Sequence, residues 1–386
     1  MKDFIYSYPT KVYFGEKAAA KALPAELKKA GKTVMLAYGG GSVKRSGVYD
    51  EICGYLKEAG KEIVDFSGIM PNPTYKKVQE GAALAREKKV DFILAVGGGS
   101  VIDCCKIVAA QAVTDKDIWE MEFKEHEYPS EFLPMGAIVT ASGTGAEMNN
   151  GAVITNEDTN EKAGVLGAYA SFAVLDVAYT MSLPARQVIS GAFDTLSHSM
   201  ETYLGSPREI TLSDEIAEAV MRNVIRNIKV LLLDMEDREA RTELMWASAM
   251  AENGILKIGK VTDFQAHQIE HQLGAYTDCN HGQGLAVIHP VLYRHIYKDS
   301  VKQFARMAEK VWEIPAEGKS EEELARAGID ALAEFIRQIG LPSTFTEMGI
   351  TDKSILKKVA DTCNLTAGCC KKLSREEVLE ILEECW

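Results

Sequence analysis

The sequence has 386 residues, a length that favours two or three domains over a single core. Its composition, 46% hydrophobic and 26% charged, is that of an ordinary globular protein and excludes a largely disordered chain. The formal net charge of −13 argues against a nucleic-acid partner, because phosphate backbones are bound by clustered Lys and Arg. No apolar run reaches the roughly 20 residues of a membrane span.

The N-terminal sequence and the cysteine content indicate the same cellular compartment. The first fifteen residues mix charges, tyrosines and a proline, so they lack the continuous apolar segment of a signal peptide. The eight cysteines form no CxxC motif, and a chain of this size does not need disulfides to stabilise its core. We therefore expect a reduced, cytoplasmic protein.

The first half of the chain alternates strand-like and helix-like patterns. Apolar runs at 33–38, 62–66 and 92–96 predict strands, and segments 48–59 and 76–88 between them carry apolar side chains at helical spacing. The order β-α-β-α-β is typical of a parallel sheet covered by helices. It predicts an α/β, Rossmann-like domain.

The pattern changes after Pro184, where strand signals nearly vanish. This shift predicts an α/β dinucleotide-binding domain over 1–183 and an all-helical domain over 184–386. The predicted helices of the second domain are 185–204, 211–232, 237–255, 262–275, 299–312, 321–339 and 374–385.

Two glycine-rich turns follow strands of the predicted sheet. The strand at 92–96 runs into Gly97-Gly98-Gly99-Ser100 at the start of a helix, and Gly39-Gly40-Gly41-Ser42 follows the strand at 33–38 in the same way. Glycine lets the backbone approach a ligand, and a helix N-terminus favours an anion such as pyrophosphate. GGGS is not the GxGxxG fingerprint, however, and a tight turn also uses glycine for purely steric reasons.

The residues after the first glycine turn bear on the choice of nicotinamide cofactor. Gly39 stands where an acidic residue would accept a ribose 2′-hydroxyl, while Ser42 and Lys44 follow closely. A 2′-phosphate suits these residues better. The sequence therefore predicts NADP(H) in preference to NAD(H).

Five side chains of the helical half have the spacing of metal ligands. Asp194 and His198 lie four residues apart on a predicted helix, as do His267 and His271, and His281 follows about one loop later. Imidazoles with one carboxylate suit zinc or ferrous iron, and an open position would make the site catalytic. Spacing alone does not distinguish His267 from His271.

Together these features resemble the iron-containing (group III) alcohol dehydrogenase family, and most closely its branch of NADPH-dependent butanol dehydrogenases. The resemblance covers essentially the whole chain. The segments that carry it are 9–15 (PTKVYFG), 38–44 (YGGGSVK), 71–73 (PNP), 97–103 (GGGSVID), 144–147 (TGAE), the Asp194/His198 pair and 267–281.

The resemblance implies a dehydroquinate synthase-like architecture, a homodimer, and a role for each candidate residue. It implies that Asp194, His198, His267 and His281 bind the metal, Fe²⁺ or zinc, and that His271 is a catalytic residue near the nicotinamide that relays a proton. The implied NADP(H)-binding residues are Gly40 and Ser42 near the ribose, Asn72, Gly98, Gly99 and Ser100 at the pyrophosphate, and Asp103, Thr140, Thr144 and Lys162 around it.

The predicted reaction is reversible reduction of a small aldehyde, such as butyraldehyde, by hydride transfer from NADPH with the metal as a Lewis acid. Three alternatives remain. A non-redox lyase of the dehydroquinate-synthase kind would share the architecture but need a strongly basic pocket, for which the sequence gives no sign. A catalytically silent nucleotide-binding protein is the second. An inverted HxxEH metalloprotease, with Glu270 as base, is the third, and it would leave the nucleotide domain without a purpose.

Overall fold

The computed structural model describes residues 3–386, which divide into two compact units. One unit is Ser7–Pro184, and the other is Ala185–Trp386 together with residues 3–6. Each unit contains a hydrophobic core of its own.

The unit Ser7–Pro184 is built on parallel strands. Its strands are β1 (Lys11–Phe14), β2 (Thr33–Tyr38), β3 (Glu62–Phe66), β4 (Phe92–Gly97), β5 (Met135–Val139), β6 (Gly151–Asn156), β7 (Glu161–Leu166) and β8 (Ala170–Leu175). Six of them form one sheet in the order β1-β8-β5-β4-β2-β3, with every neighbouring pair parallel. Strands β6 and β7 form a separate antiparallel pair.

Helices separate most of the parallel strands, as crossover connections require. They are α1 (Ala18–Glu26), α2 (Ser42–Arg45), α3 (Val48–Glu58), α4 (Tyr75–Glu87), α5 (Gly99–Gln111) and α6 (Ile118–Glu120), the last continuing into a π-helical turn at Met121–Glu125. The predicted α/β class is confirmed. Strands β2 and β4 are apolar and buried along almost their whole length, which is why their sequence pattern is clear.

The second unit is helical. Its helices are α7 (Ala185–Tyr203), α8 (Leu212–Leu233), α9 (Arg238–Glu252), α10 (Gln265–Thr277), α11 (His281–Ile296), α12 (Val301–Lys310), α13 (Glu321–Gln338), α14 (Ile355–Thr362) and α15 (Arg375–Glu384). Side-chain caps define several of the starts, for example Ser320 and Ser374, which form capping boxes. Between 185 and 386 the described chain contains no strand.

The sequence patterns missed two of these helices, α11 and α14. The first matters most, because His281 is the first residue of α11. Gly282, Gly284 and Pro290 lie inside this helix and imitate a loop. A Cβ on Gly282 would stand 2.3 Å from the Ser190 carbonyl oxygen, so glycine here permits a close approach of α11 to α7.

All eight cysteines are free thiols. Across the part of the chain that the structure describes, every helix is either too short or too polar to cross a bilayer.

Glu147 supplies a pH-dependent test of this fold. It is buried in the short 3₁₀ turn Ala146–Met148, and burial raises the pKa of its carboxyl from 4.5 to about 7. The folded chain therefore holds this proton more tightly than the unfolded chain, so the group destabilises the folded state progressively as pH rises from about 4.5 through 7.

We predict that Glu147→Gln changes the pH dependence of unfolding. The melting temperature of the variant relative to wild type should rise between pH 5 and pH 8, by an amount equivalent to at most about 3 kcal/mol. Thermal unfolding followed by circular dichroism at both pH values measures this. An equal difference at the two pH values would contradict the prediction.

Candidate metal centre and nucleotide site

Helix α7 places three ionisable side chains on one face. Asp194, His198 and Glu201 stand at i, i+4 and i+7, and all three are buried. Apolar side chains of the same helix, among them Phe193, Leu196 and Met200, pack into the core of its unit, so these ionisable groups are enclosed as well. Buried charges in such a position need partners.

The partners come from the next helices of the same unit. Helix α10 contributes His267, Glu270 and His271, also on one face, and α11 begins with His281. The start of α11 is fixed by Asn280, whose side chain accepts a hydrogen bond from the Gln283 backbone N–H.

Three imidazoles converge on one carboxylate oxygen. Asp194 Oδ1 lies 3.5 Å from His198 Nδ1, 3.6 Å from His267 Nε2 and 3.5 Å from His281 Nε2. Asp194, His267 and His281 each have an atom that could bind a metal, and these three atoms lie within 4.8 Å of one another. His198 is not part of this set. The predicted ligands are thus brought together, three of them more tightly than the fourth.

The atoms that face one another lack ordinary partners. Asp194 Oδ1, His198 Nδ1 and His267 Nε2 are buried, and none of them has a hydrogen-bond partner within residues 3–386. Orphaned polar atoms of this kind are costly unless something binds them. A carboxylate oxygen and imidazole nitrogens that share one point suit a divalent cation, so the residues fit the ion that the sequence predicts.

The electrostatics of the cluster also favour a cation. Burial alone would raise the pKa of Asp194, but His198 and His281 reverse this and lower it to about 2, so the carboxylate is ionised. Burial would lower the pKa of His267, yet the carboxylates of Glu201 and Asp194 raise it to about 10. The histidines thus stabilise the negative charge of Asp194, and the carboxylates stabilise positive charge beside it.

Two buried glutamates contact the outer nitrogens of these rings; the sequence analysis did not single out Glu201, and it named Glu270 only as the base of a metalloprotease. Glu201 Oε2 contacts His267 Nδ1, and Glu270 Oε2 contacts His281 Nδ1. A signal was present in the sequence, because Glu201 continues the spacing of Asp194 and His198.

His271 lies beside the convergent rings. It is buried, and its ring centroid is 5.6 Å from that of His281 and 5.9 Å from that of His267. His271, Glu270 and His281 also have donor atoms within 4.8 Å of one another. His271 therefore lies close to the predicted ligands, and these distances alone do not assign it a role.

In the other unit, the predicted nucleotide residues follow three adjacent strands. Strands β2, β4 and β5 lie side by side, and their carboxyl ends continue into Gly39–Ser42, Gly98–Ser100 and Thr140–Thr144. The carboxyl edge of a parallel sheet is where such folds bind ligands. Gly98 precedes α5 and has no side chain that could cap it.

Close packing accounts for some of these glycines. A Cβ on Gly99 would stand 2.4 Å from Thr144 Oγ1, and one on Gly98 would stand 3.0 Å from the Ala141 Cβ. The glycine turn after β4 is therefore in contact with the segment after β5. A Cβ on Gly39 would lie 3.1 Å from the Ile69 carbonyl oxygen, so glycine at 39 has a packing reason of its own.

Three further nucleotide candidates lie near β6. Asn72 precedes Pro73, whose carbonyl oxygen accepts from the Thr155 backbone N–H, and Thr155 pairs with Lys162 across β6 and β7. The carboxylate of Asp103, the third candidate, already contacts other protein groups. Its Oδ1 lies 3.3 Å from Lys106 Nζ and its Oδ2 accepts from the Val153 backbone N–H at 2.9 Å.

Gly40, Ser42 and Lys44 stand together at the surface after β2. Lys44 Nζ lies 4.9 Å from the ring centroid of Tyr38 and 4.5 Å from that of Tyr49. These contacts hold the ammonium group close to the end of the strand while leaving it exposed.

Comparisons with known proteins agree with the two-part architecture. Residues 9–177 match the family model described as iron-containing alcohol dehydrogenase, and residues 188–386 match the C-terminal model of the Fe-containing alcohol dehydrogenase family.

Individual relatives extend over the same length. The chain is 40% identical over 390 residues, all of both chains, to NADH-dependent butanol dehydrogenase A of Clostridium acetobutylicum. It is 36% identical over 371 residues, 94% of each chain, to the NADPH-dependent aldehyde reductase YqhD of Escherichia coli. The crystal structure of NADH-dependent butanol dehydrogenase A from Thermotoga maritima superposes with a TM-score of 0.93 at 36% identity, covering 100% of this chain and 99% of that one.

The contact between Gly99 and Thr144 generates a prediction. Gly99→Ala should lower the free energy of unfolding by about 1–3 kcal/mol, because the new methyl group must displace the Thr144 side chain. Gly54→Ala, within α3, meets no atom within 4 Å and should stabilise the chain by about 0.5–1 kcal/mol. Denaturant unfolding without nucleotide compares the two, and equal effects would contradict the packing argument.

Proposed function

This chain belongs to the iron-containing alcohol dehydrogenase family, and from that premise we propose that it interconverts a small aldehyde and its primary alcohol, such as butyraldehyde and butanol, with NADP(H). Family membership implies a nicotinamide nucleotide and a divalent metal ion, typically iron. The observation that carries the proposal is the convergence of three imidazole nitrogens on Asp194 Oδ1.

We propose Asp194, His198, His267 and His281 as the residues that hold the ion. One carboxylate and three imidazoles suit Fe²⁺ and zinc alike, and availability decides between such metals. His198 is the ligand that needs the largest adjustment, because it stands outside the set formed by the other three.

The bound ion would act as a Lewis acid on the carbonyl oxygen, and the reduced nicotinamide would supply the hydride. The chain's own residues prepare this chemistry. Asp194 stays ionised at neutral pH, because the imidazoles lower its pKa to about 2 against the effect of burial. His271, buried beside His281, is proposed to hold or relay the proton that the alcohol requires.

The rival functions make different demands on these residues. A metalloprotease would need Glu270 as a general base. This carboxylate instead contacts His281 Nδ1 and accepts a hydrogen bond from the Cys279 thiol at 3.7 Å. A non-redox lyase or a silent nucleotide-binding protein would not oxidise NADPH. The decisive experiment is to follow the absorbance of NADPH with butyraldehyde, before and after removal of the metal by a chelator. Absence of turnover by the metal-loaded protein would refute the proposal.

The preference for NADP(H) is a separate proposal within this function. Its support is the exposed pair Ser42 and Lys44 at the end of β2, with the Lys44 ammonium held near the Tyr38 and Tyr49 rings. A ribose 2′-phosphate would gain charge-assisted hydrogen bonds there. The names of the relatives include both cofactors, so specificity must be measured directly.

We propose a cytoplasmic homodimer: the sequence predicts the location, and the family resemblance implies the dimer. The mass of the purified protein in solution tests the second part of that proposal.

Lys44→Ala tests the cofactor proposal. Loss of a charged contact to the 2′-phosphate should reduce kcat/KM for NADPH about 10- to 100-fold and leave kcat/KM for NADH nearly unchanged. Lys57→Ala, an equally exposed lysine on the neighbouring helix α3, is the matched control. Equal losses with both nucleotides, or none, would refute a role for Lys44 in cofactor choice.

Substitutions in the histidine cluster test the division of roles. Asp194→Asn and His267→Ala should abolish metal retention and activity together, with losses greater than the roughly 10- to 100-fold typical of residues behind the ligands. His271→Ala should lower turnover and retain the metal. Metal content of protein purified without added metal, measured beside the NADPH assay, distinguishes these outcomes, and loss of metal from the His271 variant would overturn the assignment.

A further inference from the structure

Two buried carboxylates hold the outer nitrogens of two ligand imidazoles. Glu201 is 1% exposed, and both of its oxygens are engaged: Oε1 accepts from the Ala266 backbone N–H at 2.6 Å, and Oε2 contacts His267 Nδ1. The carboxylate thus bonds to two consecutive residues at the start of α10. It fixes both the helix end and the ring.

Glu270, on α10, makes the equivalent contact with the histidine at the start of α11. It is fully buried, its Oε2 contacts His281 Nδ1, and the Cys279 thiol donates to Oε1. Gly284 makes room for it, because a Cβ at that position would stand 2.8 Å from Glu270 Cγ. Each of the two imidazoles therefore has its own carboxylate.

These contacts determine which ring nitrogen can bind a cation. An ionised carboxylate only accepts hydrogen bonds, so the Nδ1 atoms of His267 and His281 must donate. In a neutral imidazole the lone pair is then on Nε2. Those are the two Nε2 atoms that lie 3.6 and 3.5 Å from Asp194 Oδ1.

We propose that Glu201 and Glu270 are positioning residues for the divalent ion, each acting through one histidine by fixing its tautomer and ring orientation. The inference rests on the proposed metal centre. Hydrogen-bonded carboxylates behind ligand histidines also increase the basicity of the ring, and their loss typically costs about 10- to 100-fold in metal affinity.

A buried glutamate elsewhere in the helical unit provides a matched control. Glu218 is also buried, but its carboxylate bonds to the Tyr203 hydroxyl at 3.0 Å and to Arg306 Nε at 2.6 Å. Glu218→Gln therefore perturbs a buried ionic network without touching a ligand imidazole. Its effect measures what the loss of a buried carboxylate does to the fold alone.

The test is the equilibrium affinity of the full-length apoprotein for Zn²⁺, determined by competition with a chromophoric chelator. Glu201→Gln and Glu270→Gln should each raise Kd about 10- to 100-fold, whereas Glu218→Gln should leave it within about twofold. Circular dichroism establishes that each variant is folded. If one variant does not fold, the other carries the test, because the two carboxylates lie on different helices.

A double-mutant cycle separates positioning from a general structural effect. His267→Ala and His281→Ala should lose their metal on purification but can still be titrated directly with added Zn²⁺ at higher concentration. In the first background Glu201→Gln should cause no further loss of Zn²⁺ affinity, and in the second Glu270→Gln should cause none. Folded variants that bind Zn²⁺ as tightly as wild type, or losses undiminished in these backgrounds, would overturn the inference. Failure of the wild-type protein to bind Zn²⁺ would instead overturn the metal centre itself.

Discussion

A buried, ionised aspartate is the constraint on which the helical unit depends. Removing a carboxylate from water costs several kcal/mol, and no fold tolerates this without compensating groups. Around Asp194 the compensation consists of imidazoles from three helices, α7, α10 and α11. The helices must therefore meet at this point. The same requirement explains why ionisable faces of α7 and α10 are enclosed beside the apolar core of the unit.

Sequence and structure agree best where one periodic signal dominates. Strands β2 and β3 coincide with their predicted ranges, and for β2 the reason is that a nearly continuous apolar run between turns has few alternatives. The ligand candidates were likewise visible, since spacings of four residues on a helix need no tertiary information. Strand order and the β6–β7 pair depend on long-range pairing, which a single sequence does not reveal.

What the sequence could not provide is the environment of each ring. His267 and His271 are equivalent by spacing, and only packing shows that His267 faces Asp194 Oδ1. Glu201 and Glu270 look like ordinary helix residues until their histidine partners are known. Likewise, Gly282 and Gly284 look like helix breakers until the close approach of α7 at Ser190 and of Glu270 on α10 is known.

The glycines at the start of α11 have a consequence for how the centre can diversify. Gly282 abuts the α7 backbone at Ser190 and Gly284 abuts the Glu270 side chain of α10, so His281 stands on a helix that both neighbours approach closely at glycine. The position of its ring therefore depends on the spacing of these three helices. A change in the geometry around the ion would therefore require a change at these glycines. The distance between the helices, more than the identity of the donor atoms, is the adjustable part of the site.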